Sequence, residues 1–142
     1  MCSNSNIAKC KIINLPKMED VRGRLTFIEK NYIPFKIKRV FYIYDIPTGE
    51  SRGAHAHKEC EQFIICLSGS FDVIVDDSYK KESFHLNRPW EGLYIPPKIW
   101  ASESNFDPGS LCLVLCSEIY NENDYIRDYT DYIKTMKKTQ TS

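Results

Sequence analysis

The sequence has no excess of charge of either sign: Lys and Arg total 19, and Asp and Glu total 19, in 142 residues. A balanced chain sets up no global field for a nucleic-acid backbone or an anionic membrane, so any polyanion must be met by a few local cations. No stretch approaches the roughly 18 uninterrupted apolar residues of a spanning helix. The opening MCSNSNIAKC has neither the apolar run nor the small-residue cleavage site of a secretory signal, and the expected location is the cytoplasm. No Cys-x-x-Cys pair occurs among Cys2, Cys10, Cys60, Cys66, Cys112 and Cys116. They read as reduced thiols, the last four as small core hydrophobes in or beside apolar runs. Nothing repeats at a period of about 20 to 50 residues and no low-complexity linker divides the chain, whose length suits one domain with room for a pocket.

What the sequence does have is short runs of aliphatic, β-branched and aromatic residues. Strands are expected at Lys9–Leu15, Leu25–Lys30, Arg39–Ile46, Glu61–Leu67, Phe71–Val75, Ser83–Leu86, Gly92–Ile95 and Ser110–Ser117. Turn chemistry separates them, as in Pro47-Thr48-Gly49, Ser68-Gly69-Ser70 and Asp107-Pro108-Gly109. Many short strands at about ten-residue spacing favour a β-sandwich or barrel over an alternating α/β sheet. From Asn123 the pattern changes. Tyr125, Ile126, Tyr129, Ile133 and Met136 recur at helical spacing with lysines at the end, predicting an amphipathic C-terminal helix over about 122–137 that packs on the barrel or on a second subunit. The expected organisation is a single domain over 1–142, its barrel spanning about 9–118.

The residues able to do chemistry gather in GESRGAHAHKECEQFIICLSG. His55 and His57 stand at i and i+2, so on a strand they share a face, and Glu61 shares it if the pleat continues. Imidazole suits acid–base work because its unperturbed pKa, about 6.5, lies near the working pH. Two histidines and a carboxylate also suit a divalent metal. This spacing resembles the first motif of the cupin superfamily, all-β double-stranded β-helix (jelly-roll) barrels, here followed by a C-terminal α-helix. At the second motif, Pro96-Pro97-Lys98-Ile99-Trp100-Ala101 with Asn105 beyond, Ala101 stands where a metal-binding cupin carries its third histidine. The resemblance therefore implies a pocket without metal.

The segments DVRGRLTFIEKNYIPFKIKRVFYIYDIP, ESRGAHAHKECEQFIICLSGSFDVIVDD, RPWEGLYIPPKIWASESNF and ENDYIRDY resemble the sugar 3,4-ketoisomerases, or WxcM-like cupins, from about Asn14 to Tyr132. That resemblance implies an isomerase without cofactor that turns dTDP-4-keto-6-deoxy-D-glucose into its 3-keto isomer. The product would feed 3-amino-3,6-dideoxyhexoses of bacterial surface polysaccharides, such as lipopolysaccharide O-antigen, or of antibiotics. It also implies a homodimer that exchanges an N-terminal strand. His55 is then the expected C3 base, His57 its partner in proton shuttling, and Tyr42 the tyrosine at the sugar, with Tyr44 as fallback. Arg52, Lys58, Arg39 and Arg22 are candidates for the diphosphate, which the planar guanidinium suits best. Glu61 is expected at the substrate, and Trp100, Trp90 or a tyrosine against thymine. Arg22 leans toward a product of galacto configuration, although Ala101 replaces the histidine or arginine expected at its position. A 3,5-epimerase-like cupin and a non-catalytic sugar-nucleotide-binding cupin stay open as alternatives.

Overall fold

A computed structural model describes residues 6–29 and 31–141. Cys2 and the end of the strand expected to reach Lys30 lie outside the described residues. In chain order the strands are β1 (Lys11–Asn14), β2 (Lys17–Asp20), β3 (Gly23–Thr26), β4 (Arg39–Ile43), β5 (Arg52–His57), β6 (Gln62–Ser68), β7 (Phe71–Asp76), β8 (Lys81–Leu86), β9 (Glu91–Ile95), β10 (Trp100–Ser104), β11 (Leu111–Cys116) and β12 (Tyr125–Ile126), with one helix, α1 (Tyr129–Thr141), at the end. One antiparallel sheet has the order β1-β9-β6-β11-β4 and the other β12-β5-β10-β7-β8. Their inner faces share one core, in which Ile64, Phe71, Val73, Leu93, Cys112 and Val114 are buried. The architecture is the jelly-roll barrel that the strand spacing and the cupin resemblance predict.

Side-chain alternation explains which face each residue takes. In β7, Phe71, Val73 and Val75 are fully buried, while Ile74 between them reaches solvent. Strand β6 breaks that rule, because it is buried on both faces. Ile64 and Cys66 point into the barrel, and Phe63 and Ile65 lie on the outer face under Leu15, Ile33 and Leu115. The chain before and after the hairpin thus gives the barrel a second apolar layer. Gly69, at φ +80° in the β6–β7 turn, has no room for a β-carbon because Ser110 occupies that space. Cys10, Cys60, Cys66, Cys112 and Cys116 are all free and buried, as the apolar surroundings of the last four predict.

Strands β5 and β10 are not among the expected ones, and two further elements differ from the sequence expectation. The C-terminal segment does not begin as a helix: Glu122–Asp124 form a 3-10 turn, and Tyr125 and Ile126 pair with His57 and Ala56 on the free edge of β5. Pairing with that edge satisfies backbone groups that a helical start would have left open. Only then does α1 pack Tyr132 and Met136 against Ile126 and Ala56. The second difference is the hairpin β2–β3, which pairs only with itself and leaves Met18, Val21 and Leu25 exposed. Between it and the outer face of the first sheet runs a groove of about 870 Å³. Among the described residues, no helix is long and apolar enough to cross a membrane.

Candidate active site

A cavity of about 560 Å³ opens inside the barrel, lined by residues of β4, β5, β6, β10 and β11 and closed at its mouth by Tyr120, Tyr125 and Arg127. His55 faces into it from β5, opposite Ala101 of β10. Two positions on, His57 lies deeper, its ring 5.0 Å from that of His55 and nearly perpendicular to it. Tyr125 wedges against both, with ring centroids 4.9 Å from His55 and 4.4 Å from His57. Its hydroxyl accepts from Arg39 Nη1 at 3.3 Å.

Burial sets the charge of the pair. His55 is held down to about 4, first because its imidazolium would lose water, then because His57 and Arg127 lie close. Burial also lowers His57, against the opposing pull of Asp124. Both rings are therefore neutral at physiological pH, the form in which His55 can accept a proton. Asp124 Oδ2 lies 2.9 Å from His57 Nδ1. A carboxylate only accepts, so Nδ1 carries the hydrogen and Nε2 keeps its lone pair. That Nε2 is buried and has no hydrogen-bond partner among the described residues. Asp124 also accepts the backbone N–H groups of Glu59 (2.7 Å) and Cys60 (3.4 Å), which anchors the turn after β5.

The other expected residues divide cleanly. Arg39 and Arg52 line the cavity. Tyr42 reaches only its rim: Phe41 and Ile43 pack toward the barrel core, and Tyr42, between them, pairs with Leu113 of the outer layer and is 61% exposed. Tyr44 is at the rim too, 5.9 Å from Tyr42 between ring centroids. Glu61 is not in the cavity. The chain turns at 58–60 and re-enters the sheet one face out of phase, so Gln62 faces the cavity and Glu61 accepts the Tyr94 hydroxyl at 2.6 Å on the outer layer. Trp100 is not there either: as the neighbour of inward-facing Ala101 it points outward, packing 5.2 Å from Tyr129 and 5.6 Å from Tyr132. Lys58 is exposed outside the lining, and Arg22 sits at the hairpin tip with its guanidinium 2.7 Å from Asp20.

Sequence reasoning missed Tyr125, Asp124 and Glu103. The first two were read as the start of a helix, although the aromatic after an Asn-Asp pair also fits a turn and strand. Glu103 is 6% exposed, and burial pushes its carboxyl up to about 7 against the opposing charge of Arg52. Gly53, at φ +79°, makes room for it: a β-carbon there would fall 2.5 Å from Glu103 Oε2. Among the described residues, His57, Cys60 and Asp124 bring potential metal ligands within 4.8 Å of one another. In that group Asp124 is already engaged by one ring N–H and two backbone N–H groups.

A jelly-roll barrel that carries a His-x-His pair on the inner face of one strand defines a cupin. The family model described as WxcM-like, C-terminal (FdtA) matches residues 8–137, and the chain belongs to that family. A TDP-4-oxo-6-deoxy-alpha-D-glucose-3,4-oxoisomerase of Aneurinibacillus thermoaerophilus is 45% identical over 129 residues, covering 90% of this chain and 93% of the relative. The sugar 3,4-ketoisomerase QdtA of Thermoanaerobacterium thermosaccharolyticum, solved in complex with TDP, is 41% identical, with a TM-score of 0.89 over 92% of this chain and 96% of that one. The WlaRB TDP-quinovose 3,4-ketoisomerase of Campylobacter jejuni is 46% identical, with a TM-score of 0.84 over 88% of this chain and 97% of that one. The protein is an isomerase.

Proposed function

We propose that this chain is a sugar-nucleotide 3,4-ketoisomerase that converts dTDP-4-keto-6-deoxy-D-glucose to the 3-keto isomer. The observation that carries this reading is the neutral imidazole of His55, facing the barrel cavity with His57 and Tyr125 against it. Moving a carbonyl from C4 to C3 removes the C3 proton, passes through an enediol, and returns a proton to C4. The exchange is redox-neutral overall, so a positioned base and proton donors suffice. His55 is the C3 base, and His57, held in one tautomer by Asp124, is its partner in moving the proton. The tyrosine role expected of Tyr42 passes to Tyr125, whose ring touches both imidazoles, while Tyr42 and Tyr44 border the entrance. Arg39 and Arg52 are the cavity cations for the diphosphate.

The chain works as a homodimer in this reading. The support is the self-paired hairpin, its exposed Met18, Val21 and Leu25, and the groove beside it, all suited to exchange with a second copy. Arg22 at the hairpin tip would then serve the other subunit's site. We assign the product the galacto configuration on Arg22; the likeness to a TDP-quinovose isomerase favours the gluco alternative. The 3-keto product suits a following amino transfer at C3, in the making of 3-amino-3,6-dideoxyhexoses.

Incubation with dTDP-4-keto-6-deoxyglucose in deuterium oxide, followed by NMR, tests the reading. A 3-keto sugar is expected, and the H4–H5 coupling of the product formed in ordinary water separates galacto from gluco. Absence of any 3-keto sugar defeats the proposal, and deuterium at C5 with inversion there points to a 3,5-epimerase.

A further inference from the structure

We propose that Glu103 is a catalytic carboxylic acid that passes a proton between the two neighbouring oxygens of the sugar, O4 and O3, while His55 handles the carbon-bound proton. This role rests on the ketoisomerase reading above. Glu103 lies on the cavity-facing side of β10, two residues beyond Ala101, which pairs with His55. That step along a strand is about 6.7 Å, the scale of one sugar ring. The residue is 94% buried, lines the cavity, and takes part in no hydrogen bond or ion pair with any described residue. Among the described residues the enclosed side-chain polar atom without a partner is His57 Nε2, so the Glu103 oxygens open on the cavity, where a bound ligand can reach them. The chain goes further to accommodate it, keeping a glycine at position 53 in the left-handed region so that the carboxyl fits.

The ligand's chemistry selects the contact. A carboxylate against the diphosphate would be repelled, whereas the carbonyl and hydroxyl at C4 and C3 are neutral and adjacent. Shifting the carbonyl requires two transfers on oxygen besides those on carbon. In the first half, His55 takes the C3 proton, the C3–C4 double bond forms, and the Glu103 acid gives its proton to O4, leaving an enediol, a carboxylate and an imidazolium. In the second half, the carboxylate takes the O3 proton, the C3 carbonyl forms, and the imidazolium returns its proton to C4. Carbon 3 is oxidised, carbon 4 is reduced, and both side chains end as they began.

The groups facing Glu103 are Arg52 across on β5, the Cys112 thiol on β11 with Cys66 of β6 beside it, and apolar Val73 on β7; His55 shares the cavity. Free enzyme is then competent with His55 neutral and Glu103 protonated, so kcat/KM falls as pH drops through about 4 and again as it rises through about 7. The test is E103Q, which keeps shape and hydrogen bonding but cannot release a proton, checked for folding by Tm and for ligand capture by calorimetry with TDP. We expect kcat to fall roughly 100-fold or more with KM and TDP affinity nearly unchanged, and the basic limb near 7 to disappear. E103A with added formate gives a second route, and partial rescue of kcat is expected. If E103Q keeps wild-type kcat, or changes only KM or TDP affinity, Glu103 is at most a recognition group and the role is overturned. Formate that fails to rescue a folded E103A also counts against it. Should the unaltered chain form no 3-keto sugar, the reading of function itself falls, and this role with it.

Discussion

Two concavities of the molecule are made of opposite materials. The larger, about 870 Å³, has a wall of Leu15, Ile65, Leu67 and Leu113 on its sheet side. The smaller, about 560 Å³, holds Arg39, Arg52, His55, Gln62 and Glu103 inside the barrel. Size alone would select the first. Proton transfer needs the second, where groups that hold and release protons are screened from water. The groove has apolar surface to cover, and its charged groups, Lys17, Glu19, Asp20 and Arg24, stand on the exposed hairpin rather than in an enclosed cavity, which is the make-up of a docking surface rather than a reaction site.

That division can be broken or sharpened by experiment. His55→Asn should lower kcat roughly 10²- to 10⁴-fold while TDP still binds, measured by NMR of the isomerisation. An equal loss from Leu25→Asp, on the exposed hairpin, in a protein whose oligomeric state is unchanged would erase the distinction. The acid limb of kcat/KM should lie near 4, because His55 is neutral above that value and charged below it. A limb at the ordinary histidine value, about 6.5, would mean that the site is far wetter than its burial indicates. Asp124→Asn removes a charge-assisted hydrogen bond worth about 1.5–3 kcal/mol, hence a kcat lower by roughly 10- to 150-fold with KM held. Unchanged turnover there would strip Asp124 of any positioning role. On the hairpin face turned away from the groove, Leu25→Asp should weaken self-association by roughly 10-fold or more, seen by light scattering across a dilution series. The smallest effect is expected of Tyr132→Phe, whose hydroxyl lies 2.9 Å from the Asp76 carbonyl and 2.8 Å from that of Lys98. Its loss should cost about 1 kcal/mol, lowering Tm without touching kcat.

The barrel and the histidine pair were legible because both rest on a period of two. Phe71, Val73 and Val75 announce an inner face, and His55 and His57 share one by the same count. The count failed where the backbone reset it. A turn at 58–60 moved Glu61 to the outer layer and gave its place to Gln62, and no residue type marks such a reset in advance. Trp100 was misplaced by one position on a strand that the expected list lacked. Tyr125 and Ile126 fit a helical stripe as well as a two-residue strand, and only the open edge of β5 decides between them. Glu103 could not be found at all. A glutamate in Trp-Ala-Ser-Glu-Ser reads as a surface residue until its register against Arg52 and Gly53 is known.

The bond between His57 and Asp124 joins residues 67 positions apart. During synthesis the histidines leave the ribosome long before the carboxylate that orients one of them, and before the Tyr125 ring that packs on both. The barrel strands through β11 can assemble first, but the cavity gains its last wall only when the final segment adds to β5. Until that segment has emerged and docked, the barrel carries both histidines without the carboxylate and the ring that support them.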